Sequence, residues 1–198
     1  MSRPGNPPRQ PRKLGHSFYG RPAIELAPAL IGTVLVHHTP EGIFRARIVE
    51  TEAYVGPHDL AAHSSKGRTK RTEVMFGPAG HAYVYFIYGM YEMFNIVAAE
   101  VDDAQAVLIR AAEPLEGWQA DLSGPGKLAR AMRITRADNA RDLTGDTLYL
   151  LSAPPTPIQI ARSPRIGVDY AGPWKDELLR FFDAESRAVS KARAQSNR

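Results

Sequence analysis

From residue 81 to residue 112 the chain reads as three β-type runs in succession, His81–Tyr88, Met93–Ala99 and Ala104–Ala112. Only Gly89-Met90-Tyr91-Glu92 separates the first two. So short a connection can only send the second strand back beside the first, because a parallel crossover takes a dozen residues or more. The same grammar recurs upstream, where Thr33–His38 and Ile43–Glu52 flank the turn signal Thr39-Pro40-Glu41-Gly42. Helical expectations are few: Pro22–Leu30, limited by Pro28, then Pro114–Leu122 and Gly126–Ile134, broken apart at Gly124-Pro125-Gly126. Thr147–Leu151 and Ile158–Ala161 read as short strands around the turn Pro154-Pro155-Thr156-Pro157, and Ile166–Phe182 leaves helix and strand both open. Strands that outnumber helices without alternating with them argue for an α+β fold, not a doubly wound one. We expect a single compact domain over 16–183 with a mixed, mostly antiparallel curved sheet and a protruding β-hairpin. There is no internal repeat and no Gly-rich phosphate loop.

Composition removes several chemistries. With no cysteine among 198 residues, disulfides, thiolate zinc sites, iron–sulfur clusters and a cysteine nucleophile are excluded. No window approaches 18 uncharged apolar residues, and Met1-Ser2-Arg3-Pro4 opens no secretory signal. A cytoplasmic location is expected, nucleoid-associated if the source is bacterial. The formal charge is +4. Residues 1–15 carry Arg3, Arg9, Arg12 and Lys13 without an acid, and residues 184–198 carry a net +3, which leaves 16–183 at −3. Two disordered basic tails are therefore expected, either passive ends or unspecific phosphate attractors. Within the domain, Lys66-Gly67-Arg68-Thr69-Lys70-Arg71 reads as an exposed loop, and Lys127, Arg130, Arg133 and Arg136 as one helix face. The segment 54–80 is long and irregular, a length that favours function or disorder.

Two segments carry the chemistry. In Ile48-Val49-Glu50-Thr51-Glu52-Ala53-Tyr54, two carboxylates end an apolar strand, with Glu50, Glu52 and Tyr54 on one face. A carboxylate there is placed for general-base work, or for an ion pair with Arg45 or Arg47. In His81–Tyr91, four of the eight tyrosines cluster. Tyr83, Tyr85 and Ile87 share a face, while Tyr88 and Tyr91 sit at the hairpin end, as wedges between stacked bases or as ordinary strand tyrosines. Glu50, Glu52, His58, Asp59 and His63 resemble a hard-metal set but lack a ligand spacing, so no metal and no cofactor is expected. Ser64 and Ser65 beside His63 make no nucleophile elbow.

These residues are specific enough to resemble a family. Glu50-Thr51-Glu52-Ala53-Tyr54-x-Gly56-Pro57, Ala61-Ala62-His63-Ser64, Tyr83-Val84-Tyr85-x-Ile87-Tyr88-Gly89-Met90-Tyr91-x-x-x-Asn95, Leu108-x-Arg110-Ala111-x-Glu113-Pro114-Leu115, Gly124-Pro125-Gly126-Lys127-Leu128 and Arg165-Ile166-Gly167-Val168-x-x-Ala171-Gly172-x-Trp174 run in this order. Together they resemble the alkyladenine (3-methyladenine) DNA glycosylases over roughly residues 16–182. The resemblance implies a monofunctional, metal-independent, monomeric enzyme that flips alkylated purines out of double-stranded DNA. It would hydrolyse the N-glycosidic bond, leave an abasic site and so begin base excision repair. By position, Glu52 would be the general base, and Arg110 and the main-chain carbonyl of Ile166 would help hold the water. Tyr54, His63 and Tyr85 would sandwich the flipped base, Leu108 would line the pocket and Asn95 would reject the exocyclic amine of guanine. Tyr88 would fill the hole in the duplex, and Met90, Tyr91 and Lys127 would touch DNA. No lysine lies in the Glu52 or Tyr85 motifs, which fits a glycosylase without lyase chemistry; Lys66 and Lys70 in the basic loop are the nearest. Two other classes stay open on the residues alone: a non-enzymatic nucleic-acid binding module and a metal-dependent nuclease.

Overall fold

The computed structural model describes residues 11–153 and 157–190. Eight strands build one curled sheet: β1 (Val34–Thr39), β2 (Gly42–Tyr54), β3 (Ala82–Ile87), β4 (Tyr91–Ala98), β5 (Gln105–Pro114), β6 (Leu148–Leu151), β7 (Ile160–Ser163) and β8 (Arg180–Asp183). The order is β3-β4-β5-β2-β1-β6, with β8 joined to β2 and β7 joined to β8. The fold is α+β as expected, but among the described residues the sheet is not mixed: all seven strand pairings are antiparallel. Three short helices accompany it, α1 (His16–Tyr19), α2 (Ala23–Ala29) and α3 (Pro125–Ala131). α2 packs on β2, β5 and β8, and α3 on β4 and β5. Leu26, Leu30, Ile48, Phe94, Ile96, Ile109, Leu128 and Phe181 form the buried core between helices and sheet.

The centre of the sheet is β2, because its 13 residues serve three partners. β5 runs along one edge; on the other, β1 covers Gly42–Arg47 and β8 covers Glu50–Glu52. Where the partner changes, the ladder with β5 is irregular. Ile48 faces Ala112, Glu50 faces Ala111 and Thr51 faces Ile109. Val49 on β2 and Arg110 on β5 are thus each left without an opposite residue. One extra residue on each strand restores the original register beyond Thr51, while the few residues between are re-aimed.

Several expectations are corrected. Pro114–Leu122 is not a helix. β5 continues through Pro114, and Glu116 and Gly117 take φ of 60° and 81°, which a right-handed helix cannot accept. Trp118 instead donates its indole N–H to the Arg45 carbonyl at 2.8 Å. α3 starts at Pro125 and closes before Arg133, whose φ is 60°. The four basic side chains therefore do not share a helix face. Arg133 turns to Glu41 (2.7 Å) and Arg136 to Glu92 (3.5 Å).

Part of each expected tail lies within the described residues. Residues 1–10 and 191–198 lie outside the described residues, as does Pro154-Pro155-Thr156 of the proline turn. Residues 12–14 pair with the β6 edge, Leu14 N–H donating to the Leu150 carbonyl at 2.9 Å and Ser152 N–H to the Arg12 carbonyl at 2.7 Å. Residues 184–190 fold back on the sheet, and Ser190 is buried. The packed chain thus reaches past residues 16 and 183 at both ends. Residues 55–81 remain irregular apart from two 3-10 turns, His63–Lys66 and Glu73–Phe76. Arg165 and Asp59, both fully buried, tie this segment to the loop after β7 with paired guanidinium–carboxylate bonds of 2.5 and 2.9 Å.

Candidate active site

Glu52 ends its strand fully buried, which a carboxylate tolerates only when donors meet it. Three elements supply them. Oε1 accepts the Ile166 backbone N–H from the loop after β7 at 2.7 Å. Oε2 accepts the Tyr54 hydroxyl, two residues along the strand, at 2.9 Å and lies 3.3 Å from Arg110 Nη1 on β5. A carboxylate has about four acceptor positions, so one stays free for a water or a sugar. The bond made by Ile166 is through its N–H, not the carbonyl that the resemblance singles out. Neither Arg45 nor Arg47 is a partner: Arg45 pairs with Glu116, and Arg47 with Glu113 and Asp183.

The three partners of Glu52, Tyr54, Arg110 and Ile166, also line a cavity of about 310 Å³, together with His63, Tyr85, Asn95 and Leu108. All but Arg110, which was expected to help hold the water, were expected at the base pocket, and they arrive from β2, β3, β4, β5 and two loops. Its walls are aromatic. The His63 and Tyr85 rings meet edge-to-face at 4.5 Å, and His63 Nδ1 lies 2.9 Å from the Tyr83 hydroxyl. Arg165 lies over the Tyr54 ring at 4.8 Å, and Arg71 over Tyr85 at 5.1 Å. Burial, and then the charge of Arg71, push the His63 imidazolium down to a pKa of about 4, so this wall is neutral at pH 7. Burial likewise raises Tyr54, reinforced by Glu52, and Tyr85, so both phenols stay protonated and keep their faces apolar. Asn95 is buried and anchored, its Nδ2 donating to the Tyr83 carbonyl at 3.1 Å and to the Met93 carbonyl at 3.4 Å.

The hairpin tip stands apart. Tyr88 is 79% exposed and lines the cavity mouth. Its φ is +54° and that of Gly89 +67°. A bulky residue in the left-handed region costs roughly 1–2 kcal/mol, so a tyrosine holds a position suited to glycine or asparagine. Met90 is 61% exposed beside it but faces a separate cleft. That cleft is charge-matched internally, Arg133 with Glu41, Arg136 with Glu92 and Arg141 with Asp138. Tyr91 and Lys127 do not line the cavity. Tyr91 packs on Gly126, where an added Cβ would come within 2.6 Å of its ring, and Lys127 bonds Asp121 at 2.7 Å.

Residues that sequence reasoning missed complete the pocket: Met75, Met93, Val168 and Tyr170, whose hydroxyl donates to the Ala61 carbonyl at 3.3 Å. Tyr83 had a legible signal, being two residues from Tyr85. Met93 had the same one, being two residues from Asn95 and opposite Tyr85; Met75, Val168 and Tyr170 have none of that kind, since they come from irregular segments. The five residues that resembled a metal set are dispersed. Glu50 turns to arginines, Asp59 to Arg165, His63 to Tyr83, and His58 lies against Trp174 at 5.4 Å. Among the described residues, no helix is long and apolar enough to cross a membrane.

The chain is similar to known proteins over most of its length. The family described as Methylpurine-DNA glycosylase (MPG) matches residues 17–187. A protein of Legionella pneumophila (strain Corby) is 51% identical over 181 residues, 91% of this chain and 99% of its own. One from Myxococcus xanthus (strain DK1622) is 51% identical over 183 residues, 90% of this chain and 93% of its own. One from Methanocella arvoryzae is 47% identical over 191 residues, 90% and 96% of the two chains. Each of the three bears the name "Putative 3-methyladenine DNA glycosylase".

Proposed function

The chain belongs to the methylpurine-DNA glycosylase family, and from that premise we propose that the 310 Å³ cavity receives one alkylated purine flipped from duplex DNA, with Glu52 as the base that activates water. It is a DNA glycosylase acting in DNA repair, and 3-methyladenine is the substrate type proposed. One observation carries the reading: a buried carboxylate with three donors and one free acceptor position, beneath a pocket walled by Tyr54, His63 and Tyr85.

The chemistry follows from those parts. Flipping costs a few kcal/mol, least at a weakened pair. Stacking on the aromatic walls returns about 1–3 kcal/mol per base. A purine nucleotide alkylated at N3 or N7 carries positive charge, which aromatic faces attract and a neutral His63 does not repel. As the bond from the purine to the sugar C1′ breaks, its electron pair leaves with the base, which departs neutral. Positive charge then builds on the sugar ring, and Glu52 is the anion positioned to stabilise it. A water attacks C1′ and Glu52 takes its proton, giving free base and an abasic site. Arg110, 3.3 Å from Glu52 Oε2, orients that carboxylate. Asn95 narrows the floor against an exocyclic amine. Tyr88 enters the space the base vacates, and Met90, Tyr91 and Lys127 contact the strands, Lys127 after exchanging Asp121 for phosphate. Action as a monomer on the duplex is part of the proposal.

Base release from methylated duplex DNA, in EDTA, tests the proposal. Wild type should free 3-methyladenine. Glu52→Gln should slow release by about 10²–10⁴-fold while keeping lesion binding. Release by Glu52→Gln at the wild-type rate would remove the general base from the scheme.

A further inference from the structure

Behind the pocket, Glu50 forms a second buried carboxylate site, and its main partner comes from the far end of the chain. Ser190 donates its backbone N–H to Glu50 Oε2 at 2.6 Å and its hydroxyl to Oε1 at 2.7 Å. The same Oε1 accepts Arg110 Nε at 3.1 Å and Arg180 Nε at 2.6 Å. Arg180 Nη2 closes the ring on the Ser190 carbonyl at 3.0 Å, and Arg110 Nη2 reaches the Ser190 hydroxyl at 3.4 Å. Ser190 thus spends its N–H, its C=O and its hydroxyl on one buried cluster, at 6% exposure.

Arg110 is shared in this arrangement. Its Nε belongs to Glu50 and its Nη1 to Glu52, so one guanidinium divides its charge between two carboxylates. How it divides depends on what else satisfies Glu50. With two donors from Ser190, Glu50 needs less of Arg110. Without the hydroxyl, a fully buried anion would draw the guanidinium toward itself and away from Glu52, because an under-satisfied charge in a low-dielectric site is costly.

We infer that Ser190 is a positioning residue for the glycosylase reaction: the C-terminal segment 184–190 locks Glu50 and thereby holds Arg110 where it orients Glu52. The inference rests on the proposed role of Glu52. It extends the working site to a segment 138 residues away in sequence, one that compositional reading assigns to a loose tail.

The test uses the full-length protein and three variants, Ser190→Ala, Ser190→Thr and Glu52→Gln. Three quantities are read: single-turnover release of 3-methyladenine, affinity for a duplex carrying an uncleavable abasic-site analogue, and the thermal midpoint. Ser190→Ala keeps the N–H and loses the hydroxyl. Its release rate should fall about tenfold, since small misplacements of a reacting group cost one to two orders of magnitude, with affinity within twofold of wild type. Ser190→Thr restores the hydroxyl and should recover most of that rate. A Ser190→Ala enzyme of wild-type rate, a loss shared equally by rate and affinity, or a threonine variant no faster than the alanine one would each overturn the inference. Glu52→Gln separates the two readings. If it is inactive while Ser190→Ala is normal, only the positioning role fails; if it retains full activity, the general-base reading fails and the positioning role with it.

Discussion

Glu50 and Glu52 lie two residues apart on one strand, both fully buried, yet their surroundings differ in kind. Glu50 accepts four hydrogen bonds, two from arginines and two from Ser190. Glu52 accepts two neutral bonds and shares one arginine, and its three partners, Tyr54, Ile166 and Arg110, all line the open aromatic pocket. A saturated carboxylate is a structural fastener, whereas an incompletely saturated one beside a cavity can still take a proton. What separates them is the company each side chain keeps, since residue type and strand are shared.

The largest effect expected is on Glu50. Glu50→Gln removes the anion from between two buried arginines and should cost about 3–5 kcal/mol, the usual penalty for breaking a buried pair. Glu52→Gln should shift the unfolding midpoint far less while slowing turnover by about 10²–10⁴-fold. Equal midpoints for the two variants in guanidinium melts would break the comparison. Next is Tyr88→Gly, which should move stability and binding in opposite directions. Glycine accepts φ of +54° without strain, so folding should gain about 1 kcal/mol. Loss of the ring should weaken lesion-duplex binding by about 1–3 kcal/mol. A fluorescence titration showing undiminished affinity would leave the tip without a role in flipping.

Asn95→Ser sharpens the pocket side of the contrast. It shortens a side chain anchored to the Tyr83 and Met93 carbonyls and should raise release of guanine-type bases relative to adenine-type ones by about tenfold, or 1–2 kcal/mol of discrimination. An unchanged ratio in competition assays would take Asn95 out of substrate choice. The smallest effect concerns His63. Its pKa in the folded chain lies near 4, below the usual 6.5, so between those values the unfolded chain binds a proton that the folded chain does not. Stability should therefore fall as the pH drops through that window, by about 1–2 kcal/mol given that the ring reaches solvent. His63→Gln should remove this part of the acid loss. Parallel stability curves for wild type and variant from pH 7 to 4.5 would show that the histidine carries no such cost.

The sheet was legible in the sequence where turns are local. The hairpins around Thr39–Gly42 and Gly89–Glu92 announce themselves by length alone, and β1–β5 lie within a few residues of their expected places. Pro114–Leu122 misleads because Leu115, Trp118 and Leu122 mimic helical spacing while serving as loop anchors. The site was legible where it repeats with strand period: Glu52 with Tyr54, and Tyr83 with Tyr85. It was not legible where long-range charge decides. Asp59 and Arg165 are 106 residues apart and Glu50 and Ser190 are 140 apart, and no window on the chain records that they meet. A run of Arg, Lys, Ser and Ala near the end reads as solvated tail by composition, although one serine in it is the best-connected residue behind the site.

The paired irregularity between Val49 and Arg110 bears on how this region can change over generations. Loss of Val49 would close the bulge on β2 and leave Ile48 opposite Ala112, Glu50 opposite Ala111 and Thr51 opposite Ile109. Loss of a paired residue such as Thr51 would instead slide the end of the strand by one position against β5 and turn Glu52 and Tyr54 to the opposite face of the sheet. A one-codon deletion is therefore compatible with the orientation of the site at Val49 and incompatible with it at Thr51, two positions further along the gene.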